Sequence, residues 1–173
     1  MTQIGVAVDI PEPWGSFLTR CRAEAGDPQA ADIPAHVTLL GPTEIPQRTL
    51  PAVEAHLAAV AAAHRPYRLH LRGTGTFRPV TQVVFVAVAA GISECELLAG
   101  AIRAAPGLDR EMRFPYHPHV TIAHHLADPQ LDRAFDELAG FDCEFGVDDF
   151  HLYVHDHVLG WTPTRYFALA PGT

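Results

Sequence analysis

Runs of apolar residues, some alternating with polar ones, recur along the chain and predict eight strands. They fall at residues 4–10, 36–39, 67–71, 83–88, 119–122, 143–145, 150–154 and 166–169. Segments with helical apolar spacing or many alanines lie between several of them and predict helices at 14–25, 49–64, 93–105 and 128–139. The pattern therefore indicates that strands and helices are mixed along the whole chain.

Local signals predict where three of these elements begin or end. Gly41-Pro42 predicts the end of the strand that starts at His36. Ser93, with Glu96 three residues later, predicts a capping box at the start of a helix. Asp128-Pro129 predicts a helix cap followed by proline at the first helical position.

The order of elements repeats. Residues 1–78 have the order strand, helix, strand, helix, strand, and residues 79–173 begin with the same order and end with two more strands. We therefore expect an α+β fold built as a single bilobed domain over 1–173, in which two antiparallel sheets face a central cleft with helices on the outside. No segment between the halves has the composition of a flexible linker.

The same short phrase occurs once in each half, as His36-Val37-Thr38-Leu39 and as His119-Val120-Thr121-Ile122. Because side chains on a strand alternate between faces, the histidine and threonine of each copy point to one face while the aliphatic residues point to the core. Two imidazoles and two hydroxyls are thus expected to project together into the cleft.

These four side chains predict acid–base chemistry at a phosphodiester. Histidine titrates near neutral pH, so one imidazole can accept a proton from a nucleophile while the other donates one to the leaving oxygen. Threonine hydroxyls can donate to non-bridging oxygens as negative charge develops there. The set is complete without a metal or another cofactor, and it suits in-line displacement, above all the opening of a cyclic phosphate.

Composition narrows the possible partners. The formal net charge is −8, and all twelve basic residues are arginine. An acidic protein is poorly suited to hold long nucleic acid, whereas a few local arginines suffice for a small anionic substrate. The absence of lysine excludes lysine nucleophiles and the Walker phosphate loop.

The remaining composition is that of an ordinary globular protein. Three cysteines without a CxxC pattern are typical of reduced thiols. Neither a membrane-spanning stretch nor a signal-peptide pattern is present in the sequence. We expect a monomer in the cytoplasm that does not interact with membranes.

The two phrases resemble the signature of the 2H phosphoesterases, a superfamily that includes 2'-5' RNA ligase-like proteins and cyclic nucleotide phosphodiesterases. That signature is His-x-Thr/Ser-hydrophobic, present twice, and residues 35–39 and 118–122 match it. Phe77-Arg78-Pro79 and the closing strand at 167–169 are also similar. The resemblance covers the whole chain and implies the bilobed α+β fold, with catalytic roles for His36 and His119 and phosphate binding by Thr38 and Thr121.

One position departs from the family. Many members have arginine or lysine shortly after the second motif, whereas here Ala123 is followed by His124 and His125. We therefore expect no arginine or lysine anchor for a terminal phosphate or a long RNA backbone at this point, and His124 is a candidate for substrate binding.

Other residues are candidates for substrate binding, each with a simpler alternative. Phe77 and Tyr116 could stack on a base, or Phe77 could belong to the core. Arg113, together with Arg72 and Arg78, could bind phosphate or could be a solvated surface charge. Thr38 and Thr121 could also serve only as strand formers.

The sequence thus predicts a metal-independent phosphodiesterase. The expected reaction is hydrolysis of a nucleotide 2',3'-cyclic phosphate, or cleavage or formation of a 2'-5' linkage at a short RNA end, with His36 favoured as acid and His119 as base. One rival is a metal-dependent hydrolase that uses His151, His155 and His157. The other is a non-catalytic module that binds nucleotides or RNA ends.

Overall fold

A computed structural model describes residues 1–171 of the chain. This part contains the eight predicted strands and four predicted helices. The strands are β1 (Thr2–Asp9), β2 (His36–Ile45), β3 (Tyr67–Thr76), β4 (Val83–Ala90), β5 (His119–His124), β6 (Asp142–Val147), β7 (Asp149–Asp156) and β8 (Gly160–Ala168). The helices are α1 (Trp14–Ala25), α2 (Leu50–Ala63), α3 (Ile92–Arg103) and α4 (Asp128–Glu137), with 3-10 turns at Pro28–Ala31 and Gln47–Thr49.

The strands form two four-stranded antiparallel sheets, which confirms the predicted fold class. The strand order is β2-β1-β7-β8 in the first sheet and β5-β4-β3-β6 in the second. Each of the two motif strands, β2 and β5, is therefore an edge strand, and the two edges contact each other. Because of this arrangement, both motifs lie where the two sheets meet.

The two halves of the sequence are interlocked in the fold. Strand β3 of the first half belongs to the second sheet, and β7 and β8 of the second half complete the first sheet. Helices are exchanged in the same way, since α1 packs against β5 while α3 packs against β2. Each sheet is thus built from both halves of the sequence, and the division near residue 78 stays a prediction drawn from the repeated pattern.

Alternation along the motif strands fixes which side chains enter the core. Val37 and Leu39 of β2 are buried, as are Val120 and Ile122 of β5. Their burial removes apolar surface from water on the face that the helices cover. The histidine and threonine of each motif are left half-buried on the opposite face, toward the cleft.

The end of β2 predicted at Gly41-Pro42 is wrong, because the strand continues to Ile45. The pairing of β1 with β2 shifts register between Ile4 and Val6, beside this dipeptide. A bulge on an edge strand accommodates a proline, since no ladder hydrogen bond is needed from its nitrogen.

The predicted capping box at Ser93 is also wrong. Helix α3 begins at Ile92, and its N-cap is Gly91, which has a φ of 96°. A Cβ at this glycine would lie 2.6 Å from the carbonyl oxygen of Arg68, so no side chain fits at the N-cap. Helix α4 does begin at Asp128, but its N-cap is Ala127, whose amide donates to Gln130 Oε1 at 3.2 Å.

Within residues 1–171, every helix is too short or too polar to cross a membrane.

Candidate active site

One cavity of about 390 Å³ lies between the two motif strands. His36 and Thr38 line it from β2, and His119 and Thr121 line it from β5. The volume falls in the range of small-molecule binding sites. The structure thus brings together all four motif side chains that the sequence singled out.

Both motif histidines are oriented by the same local hydrogen bond. His36 Nδ1 lies 2.8 Å from the carbonyl oxygen of Pro34, and His119 Nδ1 lies 2.7 Å from that of His117. A carbonyl oxygen can only accept, so Nδ1 carries the proton in each ring and Nε2 is the free nitrogen. In the neutral form each Nε2 is therefore ready to accept a proton.

His119 lies against two aromatic rings. Its ring centroid is 5.0 Å from that of Phe77 and 5.3 Å from that of Phe85, and both contacts place the rings at steep angles. Burial, together with smaller contributions from the nearby His117 and His36, lowers the pKa of His119 to about 4 against the opposing effect of the His117 carbonyl. His119 is consequently neutral at physiological pH.

His36 has a different environment. Burial lowers its pKa as well, whereas the Pro34 carbonyl and the Asp9 carboxylate oppose this effect. Asp9 lies opposite His36 in the β1–β2 pairing and accepts a hydrogen bond of 2.7 Å from the Tyr153 hydroxyl. The Asp9 carboxylate thus acts on the pKa of His36, whereas no carboxylate contributes to the pKa of His119. The two imidazoles therefore differ in their electrostatic environment.

Thr38 and Thr121 leave their hydroxyls available to a ligand. Neither hydroxyl forms a hydrogen bond to any residue that the structure describes, although both side chains line the cavity. A half-buried hydroxyl without a protein partner is well suited to donate to a bound oxyanion.

Two other predicted substrate-binding residues also line the cavity. Phe77 supports the His119 ring, as described above, and it also lies 4.5 Å from Phe85 between ring centroids. His124 lies at the end of β5, where its ring is 3.7 Å from that of His125. Burial lowers the pKa of His124, and the neighbouring His125 adds to the effect.

Tyr116 and Arg113 are not among the described residues that line the cavity. The Tyr116 hydroxyl donates to the carbonyl oxygen of Thr38 at 2.8 Å, and its ring packs against the core, so it is a framework residue rather than a free stacking surface. Arg113 is exposed, with its guanidinium 5.1 Å from the centroid of Phe114, away from the cavity lining.

Arg78 and Arg72, the other two arginines considered for phosphate binding, lie beside carboxylates and do not line the cavity. Arg78 pairs with Asp132 at 2.8 Å and with Asp128 at 3.4 Å. Arg72 is exposed and lies 3.9 Å from Asp142. These positions account for both as surface charges.

Four further cavity residues carry polar or aromatic groups that the sequence did not single out for this site, namely Arg22, Gln29, Tyr153 and Trp161. Two come from α1 and the 3-10 turn after it, and two come from the C-terminal hairpin. Among these four, only Tyr153 has a signal in the sequence, because alternation along its strand places it on the same face as His151.

The C-terminal histidines do not form a metal-binding cluster. His155 packs against Trp161 and His157, with ring centroids 5.1 and 5.7 Å apart, while His151 Nδ1 lies 2.7 Å from Asp9 Oδ2. Across residues 1–171, no three histidine, cysteine or carboxylate side chains converge as metal ligands would.

Two antiparallel sheets that present one His-x-Thr pair each to a shared cleft define the two-histidine class of phosphoesterase sites. The chain belongs to the 2'-5' RNA ligase superfamily, whose family model matches residues 10–159. The predicted resemblance to the 2H phosphoesterases is thereby confirmed.

Relatives in bacteria carry a matching description. A Bacillus cytotoxicus protein named "Putative phosphoesterase" is 30% identical over 149 residues, which cover 85% of this chain and 86% of that protein. A Bacillus thuringiensis protein of the same name is 28% identical over 148 residues, covering 84% and 85%.

Solved structures share the fold over nearly the full length. TT0787 of Thermus thermophilus has a TM-score of 0.71 and 25% identity, covering 99% of this chain and all of that one. E. coli LigT in complex with NADP+ has a TM-score of 0.70 and 22% identity, covering 98% of both chains, so it is similar in fold. A second LigT structure contains 3'-AMP and has a TM-score of 0.64 at 19% identity, covering 97% of this chain and 98% of that one.

Proposed function

We propose that the protein is a metal-independent phosphodiesterase that opens nucleotide 2',3'-cyclic phosphates by two-histidine acid–base catalysis. The observation that carries this proposal is the pair of imidazoles in one cavity, each fixed through Nδ1 so that Nε2 is the free nitrogen. LigT, which is similar in fold, has been solved in complexes with NADP+ and 3'-AMP, and this supports a nucleotide as the ligand.

In this proposal His119 is the general base. Its lowered pKa keeps Nε2 unprotonated at neutral pH, so it can accept a proton from water as the water oxygen attacks phosphorus. The aromatic rings of Phe77 and Phe85 fix the imidazole and exclude water from its sides.

His36 is the general acid. In the free protein burial lowers the pKa of His36 and the Arg22 guanidinium lowers it further, while the Pro34 carbonyl and the Asp9 carboxylate oppose this shift only in part. An anionic phosphodiester bound in the cavity adds to the opposing effect and favours the charged form. Nε2 then donates its proton to the departing ribose oxygen as the P–O bond breaks. If the 3' oxygen leaves, the product is a 2'-phosphomonoester, and the two histidines have exchanged protonation states.

Thr38 and Thr121 bind the phosphoryl group. Each hydroxyl donates to a non-bridging oxygen, whose charge increases in the transition state. When a ribose 5'-hydroxyl attacks in place of water, the same displacement breaks the P–O3' bond, the 3' oxygen takes the proton from His36, and a 2'-5' linkage forms without ATP. This direction agrees with a chain that has no lysine for an adenylylated intermediate.

The test is hydrolysis of a panel of nucleoside 2',3'-cyclic phosphates in EDTA, with separation of the 2' and 3' products. We expect activity that resists EDTA and falls at least about a hundredfold in His36→Ala and in His119→Ala. His155→Ala and His157→Ala are controls that leave activity unchanged.

Each contrary result has a distinct meaning. Activity that survives both motif substitutions contradicts the proposal. Activity abolished by EDTA and by the control substitutions supports the metal-dependent rival. Nucleotide binding without turnover supports the non-catalytic module.

A further inference from the structure

Arg22 is a buried arginine that lines the catalytic cavity. It lies in the last turn of α1 and is only 5% exposed. Burial of a guanidinium is unfavourable unless its charge and its N–H groups are satisfied. The position of this side chain at the cavity wall therefore requires an explanation.

Two neighbours hold the guanidinium in place. Nε donates to Asp27 Oδ2 at 2.8 Å, and Nη2 donates to Gln29 Oε1 at 3.0 Å. The other oxygen of Asp27 accepts a hydrogen bond of 2.9 Å from the backbone amide of Gln29, so the carboxylate is itself fixed. The turn after α1 thus fixes the orientation of Arg22.

The third nitrogen of Arg22 is left for a ligand. Nη1 donates to no protein atom within residues 1–171, yet it is not a fully buried atom. Asp27 is 3% exposed and does not line the cavity, whereas Arg22 does. The ion pair consequently presents its positive end to the cavity.

Arg22 also carries the only permanent charge among the described residues that line the cavity. Among the described residues that line the cavity, every other side chain is apolar, a neutral polar group or a histidine. The charge of Arg22 also acts on both His36 and His124, whose pKa values are lowered mainly by burial and further by this guanidinium. Its field therefore reaches from the catalytic histidine on β2 to the end of β5.

We propose that Arg22 binds a second phosphate group of the substrate, in addition to the phosphodiester that reacts. This inference rests on the proposed function and narrows the substrate class to nucleotides or RNA ends that carry another phosphate. The reacting group already has two hydroxyl donors in Thr38 and Thr121, so a fixed guanidinium at the wall is available to a separate anion. In a protein of net charge −8, such a local cation is what allows a doubly phosphorylated ligand to bind.

Binding of two product-like ligands tests the proposal without turnover. Titration calorimetry compares adenosine 2',5'-bisphosphate with adenosine 2'-phosphate, which lacks the second phosphate. We expect wild-type protein to bind the bisphosphate at least about tenfold more tightly. Equal affinities in the wild type overturn the proposal.

The matched variants separate charge from folding. Arg22→Met combined with Asp27→Asn removes both charges and keeps the oxygen that caps the turn, so no carboxylate is left buried without a partner. The affinity ratio should fall to within about twofold of unity in this variant, and Arg22→Lys should retain part of it. Arg20→Gln, an exposed arginine on the same helix, should keep the full ratio.

Two further outcomes decide between roles of Arg22. An equal loss of affinity for both ligands in the double variant overturns the proposal, because it places the guanidinium on the phosphate common to both. If the double variant does not fold, the wild-type and Arg22→Lys ratios still decide. Failure of cyclic phosphate hydrolysis leaves these binding ratios intact and contradicts only the proposed function.

Discussion

The hydroxyl of Tyr116 donates a hydrogen bond of 2.8 Å to the backbone carbonyl oxygen of Thr38. Tyr116 lies three residues before the second motif, and Thr38 lies within the first, 78 residues away. This bond therefore joins the loop before β5 to β2 beside the cavity. It links the two motifs across the boundary between the sheets, in addition to the direct contacts of β2 with β5.

We expect Tyr116→Phe to lower both stability and turnover. Loss of one partly buried hydrogen bond, with the Thr38 carbonyl left without this donor, should reduce the free energy of unfolding by about 1–2 kcal/mol. kcat should fall more than KM changes, because the distance between His36 and His119 is no longer fixed. Denaturant unfolding and steady-state kinetics measure the two effects.

Tyr166→Phe is the control for this substitution, since the Tyr166 side chain is 65% exposed. It should change neither quantity. A Tyr116→Phe enzyme with wild-type kcat and reduced stability alone would mean that the bond is structural and has no influence on the site.

Gly75 supports His119 through an aromatic ring. A Cβ at Gly75 would lie 2.6 Å from Cε2 and from Cζ of Phe85, whose ring packs against both Phe77 and His119. Gly75→Ala must displace this ring, so we expect kcat/KM to fall at least about tenfold with a stability loss of about 1–3 kcal/mol.

Gly146→Ala is the matched control, because Gly146 is also a strand glycine and has no atom within 4 Å of a built Cβ. Kinetics and unfolding should both resemble the wild type there. If Gly75→Ala loses stability but keeps kcat/KM, then Phe85 does not position His119.

The burial of the core residues and the orientation of the motif residues were predictable from sequence because both follow from the local pattern along each strand. Alternation along the motif strands alone determines that Val37 and Val120 are buried while His36 and His119 face the cleft. The repeated order of elements was enough to predict two antiparallel sheets.

The rest of the site depends on contacts that no local pattern encodes. Arg22 has the sequence context of an exposed helical arginine, and its burial follows from a partner, Asp27, that lies beyond the helix end at Gly26. Trp161 reaches the cavity only because the C-terminal hairpin joins the first sheet. The hydrogen bond from Tyr116 is accepted by a backbone carbonyl oxygen. Because every residue has such an oxygen, no residue type in the sequence marks the acceptor.

The lowered pKa of His119 predicts that acid destabilises the fold. The folded state binds this proton only near pH 4, whereas the unfolded chain binds it near pH 6.5, so the unfolded state carries more protons between these values. The contribution of neutral His119 to the free energy of unfolding is therefore fully present above about pH 6.5 and is lost as pH falls toward 4. The contribution of His119 to this loss is on the order of 3 kcal/mol.

Urea unfolding at pH 7 and at pH 4.5 measures this effect. His119→Gln has no proton to gain, so its stability should fall less between the two pH values than that of the wild type. His157→Gln, which replaces an exposed histidine, should behave as the wild type does. An equal pH dependence in wild type and His119→Gln would mean that other groups cause the acid sensitivity.

Asp9 should raise the pH at which the acid catalyst is lost, although burial is the largest influence on the pKa of His36. Burial lowers the pKa of His36, and the Asp9 carboxylate is one of the groups that oppose this shift. In Asp9→Asn the opposing charge is gone, so the pKa of His36 should fall further and the alkaline limb of kcat/KM should move to lower pH. Tyr153→Phe removes the hydroxyl that binds Asp9 but keeps the carboxylate, so the limb should move much less. A profile of kcat/KM against pH for the three proteins tests this assignment, and an unchanged alkaline limb in Asp9→Asn would assign that limb to a group other than His36.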